Sequence, residues 1–250
     1  MAAKTHYSDY VADQKLLETY NAYQDRYKSQ PRESDKVVLE EIARQFGRGE
    51  GISILDIGCS TGNFLRHLRR VVPEARLFGS DLAQSSVEKC KTDPTLSGIE
   101  FYITDALDIS ALGRFHAISA IAVAVYFDWP DYERMLRSIC ASLHPGGIYY
   151  AFEWIHPFAV QDITIIETNE WNPSGLTIRF RPMKKAEAAF LAAGFSSVEF
   201  RPFSLPIDLA FPGHDAEVVT YTRKDEHGER MAFRGVLYQP WCHIVARKAG

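Results

Sequence analysis

The sequence predicts an α/β protein, a three-layer α/β/α sandwich built on a parallel sheet. Three observations predict it. A strand, a glycine turn and a helix follow one another in Ile52-Ser-Ile-Leu-Asp-Ile-Gly-Cys-Ser-Thr-Gly-Asn-Phe64. Strand and helix patterns then alternate as far as Glu153, which implies parallel strands joined by crossover helices. The run Ala117 to Val123 is small, apolar and uninterrupted, as in a strand buried on both faces. Ligands of such sheets bind at the carboxyl ends of the strands.

The elements follow in order. Residues Asp9 to Tyr27 read as a helix, with Leu16, Tyr20, Tyr23 and Tyr27 at three- and four-residue spacing. Five tyrosines (Tyr7, Tyr10, Tyr20, Tyr23 and Tyr27) lie in this arm. The arm either packs on the domain or acts as a lid, since tyrosine offers an apolar body and a polar tip. Ser29-Gln-Pro-Arg-Glu-Ser34 breaks it, with Ser34 or Asp35 expected as the N-cap of a second helix. Val38, Leu39, Ile42 and Phe46 share one face of that helix, and Gly47 and Gly49 end it. Arg32, in the break, is either solvated or a partner for a carboxylate.

Strand one is Ser53 to Ile57 and stops at Gly58. Gly58 and Gly62 let the backbone approach a ligand where a Cβ would clash. The helix opening at Asn63 aims free N–H groups at the same place. Asp56 sits two residues before the turn. Left unpaired and buried it would be costly, so it is expected to hold backbone amides or a ligand's ammonium group. The first crossover helix stops before Pro73. Strand two is Arg76 to Gly79, and a helix around Ser85 to Cys90 ends near Asp93-Pro94. Strand three is Glu100 to Ile103 and strand four is Ala117 to Val123. Asp131 is expected to cap a helix from Tyr132 to Leu143. Strand five is Ile148 to Glu153.

The stretch from Ile52 to Phe64 resembles motif I of the class I S-adenosylmethionine (SAM)-dependent methyltransferases, hydrophobic-D-x-G-x-G-x-G, with Ser60 in place of the middle glycine. Asp81 ends the second strand, like that family's ribose-binding acid. Asp105 follows the third, like its adenine-side acid. Leu143-His-Pro-Gly-Gly-Ile-Tyr-Tyr150 resembles the turn entering its fifth strand. Motif order and spacing match from about Ile52 to Glu153. The resemblance implies a Rossmann-like sheet of seven strands, mostly parallel, whose antiparallel last strand lies between strands five and six. It implies SAM as cofactor, held by Asp56, Gly58, Cys59, Ser60, Gly62, Asn63, Asp81, Leu82, Asp105, Ala106 and Ala122. Asp81 would accept from both ribose hydroxyls in two charge-assisted hydrogen bonds. Leu82 would pack on the adenine, and Asp105 would accept from its amino group beside the Ala106 N–H. Ala122 would end strand four next to the methionine moiety. N-terminal helices of this family often close over SAM, and the two readings of the arm can both hold.

After strand five the pattern changes. Ile163 to Ile166 alternates, Thr168 to Gly175 is turn-rich, and Leu176 to Phe180 alternates again, which reads as an antiparallel hairpin inserted as a cap. Met183 to Ala193 returns to helix, with Gly194 after its end. Ser197 to Phe200 is strand six. A second insertion runs from Leu205 to about Gln239, with a hairpin of Val218 to Arg223 and Arg230 to Phe233 around Asp225-Glu-His-Gly228. Trp241 to Ala246 is the last strand. The expected organisation is a helical arm or lid over residues 1–50 and a SAM-binding domain over 51–250, with cap insertions at about 155–182 and 204–240.

Methyl transfer is an in-line displacement at a sulfonium carbon, and positioning with desolvation can supply most of its catalysis. A general base is needed only where the acceptor must lose a proton early. His156, just after strand five, is the base candidate because imidazole titrates near neutral pH. The alternative is a histidine hydrogen-bonded in a proline-bounded turn. Tyr20, Tyr27, Tyr126 and Trp154 are the candidate substrate contacts. Amino-methylating DNA and RNA enzymes of the resembled family carry an Asn/Asp-Pro-Pro-Tyr/Phe signature after strand four. Ala122-Val-Ala-Val125 stands there instead, which counts against methylation of a base amine. The caps are rich in aromatics, among them Trp154, Phe158, Trp171, Phe203, Phe211, Tyr221, Tyr238 and Trp241. They could enclose a mostly apolar small molecule, form a homodimer interface, or serve as core.

Bulk properties set the remaining bounds. A 250-residue chain suits one large domain or a domain with a cap. The net charge of -4 argues against a nucleic-acid surface, which is usually basic. Cys59, Cys90, Cys140 and Cys242 show no C-x-x-C spacing, so free thiols are expected, with neither a metal site nor a disulfide framework. Met1-Ala-Ala-Lys-Thr-His-Tyr7 has no apolar signal core, and no run reaches membrane-spanning length. These point to the cytoplasm. The expected function is methyl transfer from SAM to an oxygen or nitrogen of a small molecule. The rivals are methylation of protein or RNA on the same fold, a SAM-binding module that transfers nothing, and an NAD-dependent dehydrogenase. Spacing at the turn and the Pro-Gly-Gly stretch count against the dehydrogenase.

Overall fold

The computed structural model describes residues 14–168, 175–216 and 219–250. The predicted helix over 9–13, most of the cap turn (169–174) and Val218 lie outside the described residues, as do Tyr7, Tyr10, the Leu16 side chain and Trp171.

The chain runs α1 (Gln14–Gln24), α2 (Glu33–Phe46), β1 (Ser53–Ile57), α3 (Asn63–Val71), β2 (Arg76–Asp81), α4 (Gln84–Thr92), β3 (Glu100–Ile103) and β4 (Phe115–Ile121). It continues with α5 (Trp129–Ala141), β5 (Leu143–His156), β6 (Ile163–Glu167), β7 (Leu176–Pro182), α6 (Met183–Ala192) and β8 (Phe195–Pro202). Then follow β9 (Thr220–Lys224), β10 (Arg230–Arg234), β11 (Leu237–Tyr238) and β12 (Trp241–Lys248). The main sheet has the order β3-β2-β1-β4-β5-β12-β8. The pairs from β3 to β5 are parallel, while β12 is antiparallel to both of its neighbours. The antiparallel last strand therefore lies between β5 and β8, as expected.

Both faces of this sheet are covered, so each strand sends successive side chains into different layers. Leu55, Ile118 and Tyr149 enter the layer under α5 and α6, with Tyr132, Leu136 and Phe190. Ile54, Ala117 and Tyr150 enter the opposite layer, with Ile42 of α2, Leu65 and Leu68 of α3 and Val87 of α4. This is why the strands read as unbroken apolar runs. Leu55, Leu65 and Ile118 are fully buried, and cutting such a side chain to Ala costs on the order of 2–5 kcal/mol. Among the described residues, no helix is long and apolar enough to cross a membrane.

Several boundaries differ from expectation, each for a local reason. α2 begins earlier, with Arg32 at the N-cap, so Ser34 and Asp35 sit inside its first turn. α5 is capped by Asp128, whose carboxylate accepts from the Asp131 N–H at 3.0 Å. Asp131 thus lies within the helix it was expected to cap. β5 continues past Glu153 because its backbone finds partners there. Trp154 pairs with Trp241, and Ile155 and His156 pair in parallel with Arg181 and Pro182 of β7. The first cap is therefore an antiparallel β6–β7 hairpin joined to the end of the main sheet. The second cap is a three-stranded sheet, β11-β10-β9, where a hairpin was expected.

The arm is fastened to α3. The Asn63 amide donates to the Gln24 carbonyl at 2.7 Å, and His67 Nε2 lies 2.8 Å from the Tyr27 carbonyl. These bonds hold α1 beside the glycine turn.

Candidate active site

The turn after β1 is tightly packed. Gly58 has φ +66°, and a Cβ there would lie 2.5 Å from Val123 Cγ2. Two non-glycine residues nearby also have positive φ, Ser60 at +48° and Ala122 at +58°. Such geometry costs about 1 kcal/mol or more per residue and is kept where surrounding contacts dictate it. For Ser60 the contact is visible. Its N–H donates to Asp81 Oδ2 at 2.8 Å, while the Ala83 N–H donates to Oδ1 at 2.8 Å. The Asp81 carboxylate thus bridges the turns after β1 and β2. Burial pushes its pKa up, and the backbone N–H groups pull it back.

A cavity of about 140 Å³ opens at this point, at the carboxyl ends of β1 to β4. One wall is Gly58, Ser60, Asp81, Leu82, Ala83, Thr104, Asp105, Ala106 and Ala122. The other is apolar and aromatic: Leu17 and Tyr20 of α1, Tyr126 and Phe127 after β4, and Leu176 at the start of β7. The arm, the sheet and the first cap therefore meet around one space.

The sequence-predicted binding residues divide into two groups. Gly58, Ser60, Asp81, Leu82, Asp105, Ala106 and Ala122 line the cavity. Asp56, Cys59, Gly62 and Asn63 stand behind it and support its wall. Asp56 accepts from the Ser119 hydroxyl at 2.7 Å, where backbone amides or a ligand's ammonium group were expected. Asn63 holds the arm. Gly62 starts α3 at φ +72°, with Leu96 Cδ1 2.6 Å from where its Cβ would be. The Cys59 N–H donates to the Ser80 carbonyl at 3.0 Å and so ties the turn to β2. All four cysteines are free and buried.

Of the substrate candidates, Tyr20 and Tyr126 line the cavity, and burial raises both phenol pKa values. The other two lie elsewhere. Tyr27 shares a hydrogen bond with the Tyr23 hydroxyl at 3.0 Å and lies under the Arg32 guanidinium. Trp154 is buried against Phe180, Trp241 and Ile178. His156, the base candidate, is also absent from the cavity wall. It is the last residue of β5, its ring is buried beside Phe158, and burial lowers its pKa. Leu17, Ser86, Thr104 and Leu176 line the cavity without having been singled out in the sequence, and Phe127, which follows strand four, lines it too. Thr104 had a signal, since it directly precedes Asp105. Leu17 and Leu176 had none, because only the fold brings their segments together.

A cluster of buried acids underlies the turn. Burial pushes Asp56 up to about 8, helped by the charges of Asp35 and Asp81. It also raises Asp35, against the pull of Arg32. Arg32 donates to the Gln24 side chain at 2.5 Å. With no counter-charge of their own, Asp56 and Asp81 favour a cationic ligand in the cavity beside them.

A family model described as a methyltransferase domain matches residues 54–147, from β1 through the Pro-Gly-Gly turn. The malonyl-[acyl-carrier protein] O-methyltransferase of Bacillus anthracis is 26% identical over 125 residues, which is 50% of this chain and 45% of that protein. The tRNA (guanine-N(7)-)-methyltransferase of Rubrobacter xylanophilus is 32% identical over 109 residues, covering 37% of this chain and 47% of its own. The chain thus spans about half the length of these curated relatives. Among solved structures, Burkholderia thailandensis 1,6-didemethyltoxoflavin-N1-methyltransferase, with bound 1,6-didemethyltoxoflavin and S-adenosylhomocysteine, superposes with a TM-score of 0.66. It is 15% identical, and the match covers 100% of this chain and 92% of that one.

Proposed function

We propose that this chain is a class I SAM-dependent methyltransferase, a reading that the methyltransferase-domain match over residues 54–147 supports, and that it transfers a methyl group from SAM to an oxygen or nitrogen of a small molecule. The observation that carries this reading is the two-sided cavity, with Asp81 and the Gly58 turn on one side and an apolar aromatic wall on the other. The polar side fits a nucleoside. The Asp81 carboxylate accepts backbone N–H groups of Ser60, Leu82 and Ala83 and faces the cavity, where a carboxylate with about four lone-pair sites can also accept a ribose hydroxyl. Leu82 and Ala106 offer apolar surface for a base, and Asp105 an acceptor for its amino group. Gly58 and Ser60 bring backbone close to the methionine end, beside the buried acids. SAM supplies the electrophilic methyl on a sulfonium sulfur. The chain's own part is to orient it, exclude water with α1 and the first cap, and hold an acceptor against Tyr126 and Tyr20.

A small acceptor is favoured because the arm and the first cap themselves supply Leu17, Tyr20 and Leu176 to the wall of a cavity of only about 140 Å³. The toxoflavin methyltransferase, which matches this chain along its whole length, has a small heteroaromatic molecule bound in its structure. The tRNA-modifying relative matches only 37% of this chain, so it speaks for the cofactor half alone. The four buried free thiols support a reducing compartment such as the cytoplasm.

Calorimetric titration of the purified chain with SAM, S-adenosylhomocysteine and NAD tests the cofactor. Binding of the first two without NAD is the expected result, and labelled SAM with a panel of metabolites then identifies the acceptor. NAD binding would bring back the dehydrogenase.

A further inference from the structure

The first cap hairpin ends on two arginines, and both reach the segment that carries Tyr126. Arg179 and Arg181 are two residues apart on β7, so the period of a strand puts them on one face. Phe180 points the other way and packs on Trp154, with ring centroids 4.4 Å apart. Arg179 Nη1 donates to the Tyr126 carbonyl at 2.5 Å, and Arg181 Nη2 donates to the next carbonyl, that of Phe127. Arg181 is fully buried. Glu153 of β5, also fully buried, faces it at 3.8 Å, and the Tyr132 ring lies 4.1 Å from its guanidinium.

The segment these arginines hold is a single turn of 3₁₀ helix, Ala124–Tyr126, between β4 and α5. Of its backbone bonds, that from the Tyr126 N–H to the Val123 carbonyl is long at 3.4 Å, while that from the Phe127 N–H to the Ala124 carbonyl is ordinary at 3.1 Å. Charge-assisted bonds from arginine are stronger than such contacts. A guanidinium locked between a buried carboxylate and an aromatic ring cannot swing away without exposing an unpaired charge.

We propose that Arg179 and Arg181 are positioning residues, which clamp the Tyr126 and Phe127 carbonyls and thereby make one wall of the cavity an extension of the first cap. Neither side chain lines the cavity. They act through Tyr126 and Phe127, which do. Glu153 anchors Arg181, so the clamp runs from β5 through β7 to the 124–127 segment. The inference rests on the cavity being the SAM site only for its effect on ligand affinity, and not for its effect on the segment itself.

Arg179→Gln is the decisive variant, because Arg179 is partly exposed and its loss leaves no buried charge unpaired. Two quantities are measured: amide hydrogen exchange over residues 124–127, and the affinity for S-adenosylhomocysteine. The clamp requires faster exchange confined to that segment and binding weakened about 3- to 10-fold. Arg179→Lys keeps a donor and restores part of both. Glu153→Gln loosens Arg181 and gives the same exchange signature at Phe127. Wild-type exchange in Arg179→Gln would overturn the proposal, and so would a fall in melting temperature with no local change at 124–127. If the wild-type protein bound no S-adenosylhomocysteine, the proposed function would fail while the exchange data still decided the clamp.

Discussion

The Ser60 N–H donates to Asp81 Oδ2 at 2.8 Å, which ties the turn after β1 to the end of β2. One carboxylate therefore shapes the cavity and also faces into it. Asp81→Ala is expected to weaken S-adenosylhomocysteine binding by more than ~1 kcal/mol, about five-fold or more, since it removes a charged acceptor. Asp81→Asn keeps one acceptor oxygen and should lose less. Calorimetry that gave wild-type affinity for Asp81→Ala would leave Asp81 a purely structural role.

Gly58→Ala meets two obstacles, a left-handed backbone and Val123 Cγ2 at 2.5 Å from the new Cβ. The expected cost is about 1–3 kcal/mol of stability together with loss of ligand binding. Val123→Ala in the same chain removes the clash but not the strain, so it should recover only part of the stability. Full recovery in thermal melts would show that φ contributes nothing.

Asp56 gives a pH signature. Burial holds its carboxyl at about 8, against 3.8 for the free group. A folded pKa above the unfolded one means that this group's stability contribution is complete below pH 4. It is lost as pH rises towards 8. Asp56→Asn removes the titration and keeps an oxygen for the Ser119 hydroxyl. The variant should therefore melt above wild type at pH 9, with the gap closing towards pH 4. The shift corresponds to at most roughly 6 kcal/mol. A gap that did not change with pH would mean that Asp56 does not titrate in this range.

The same acids predict proton release. SAM carries a sulfonium and an ammonium group, and its arrival lowers the pKa of Asp56 and Asp81. Binding at pH 7 should release protons, and S-adenosylhomocysteine, without the sulfonium charge, should release fewer. Calorimetry in buffers of different ionisation enthalpy measures both. Identical apparent heats in all buffers would remove the acids from ligand recognition.

His156→Gln should keep its affinity for S-adenosylhomocysteine within about two-fold, because the ring does not reach the cavity wall. Turnover on an identified acceptor should stay near wild type. A loss of 100-fold, about 2.7 kcal/mol in transition-state stabilisation, would return His156 to the reaction.

The strands of the core were legible because burial on both faces leaves an unbroken apolar run, as in Ala117 to Val123. Gly58, Ser60 and Asp81 were legible because a strand, a tight turn and a strand-end acid are local features. His156 was weighed as a base or as a turn histidine, and the local sequence could not choose between them. Its place after an apolar run puts it at a strand end, where it lies as the last residue of β5, but only the pairing with Pro182 shows that the ring is buried. Asp56 was expected to hold backbone amides or a ligand's ammonium group, because nothing in the sequence brings Ser119, 63 residues away, to its side. Leu17 and Leu176 have no local signature at all. They meet across the cavity only after the arm is bonded to α3 and the hairpin to β5.

The strand order has a consequence for how the chain acquires its structure. β8 touches the main sheet only through β12, and β12 pairs Trp241 with Trp154 across both caps. Until β12 is in place, β5 presents an open edge and β8 has no partner. Closure depends on contacts between residues far apart in sequence, the kind that form slowly. A partly folded chain would expose that edge to other molecules. Insertion of β12 is thus the step on which escape from aggregation depends, and a lesion in Ile244 or Ala246 would first be seen as poor recovery of folded protein.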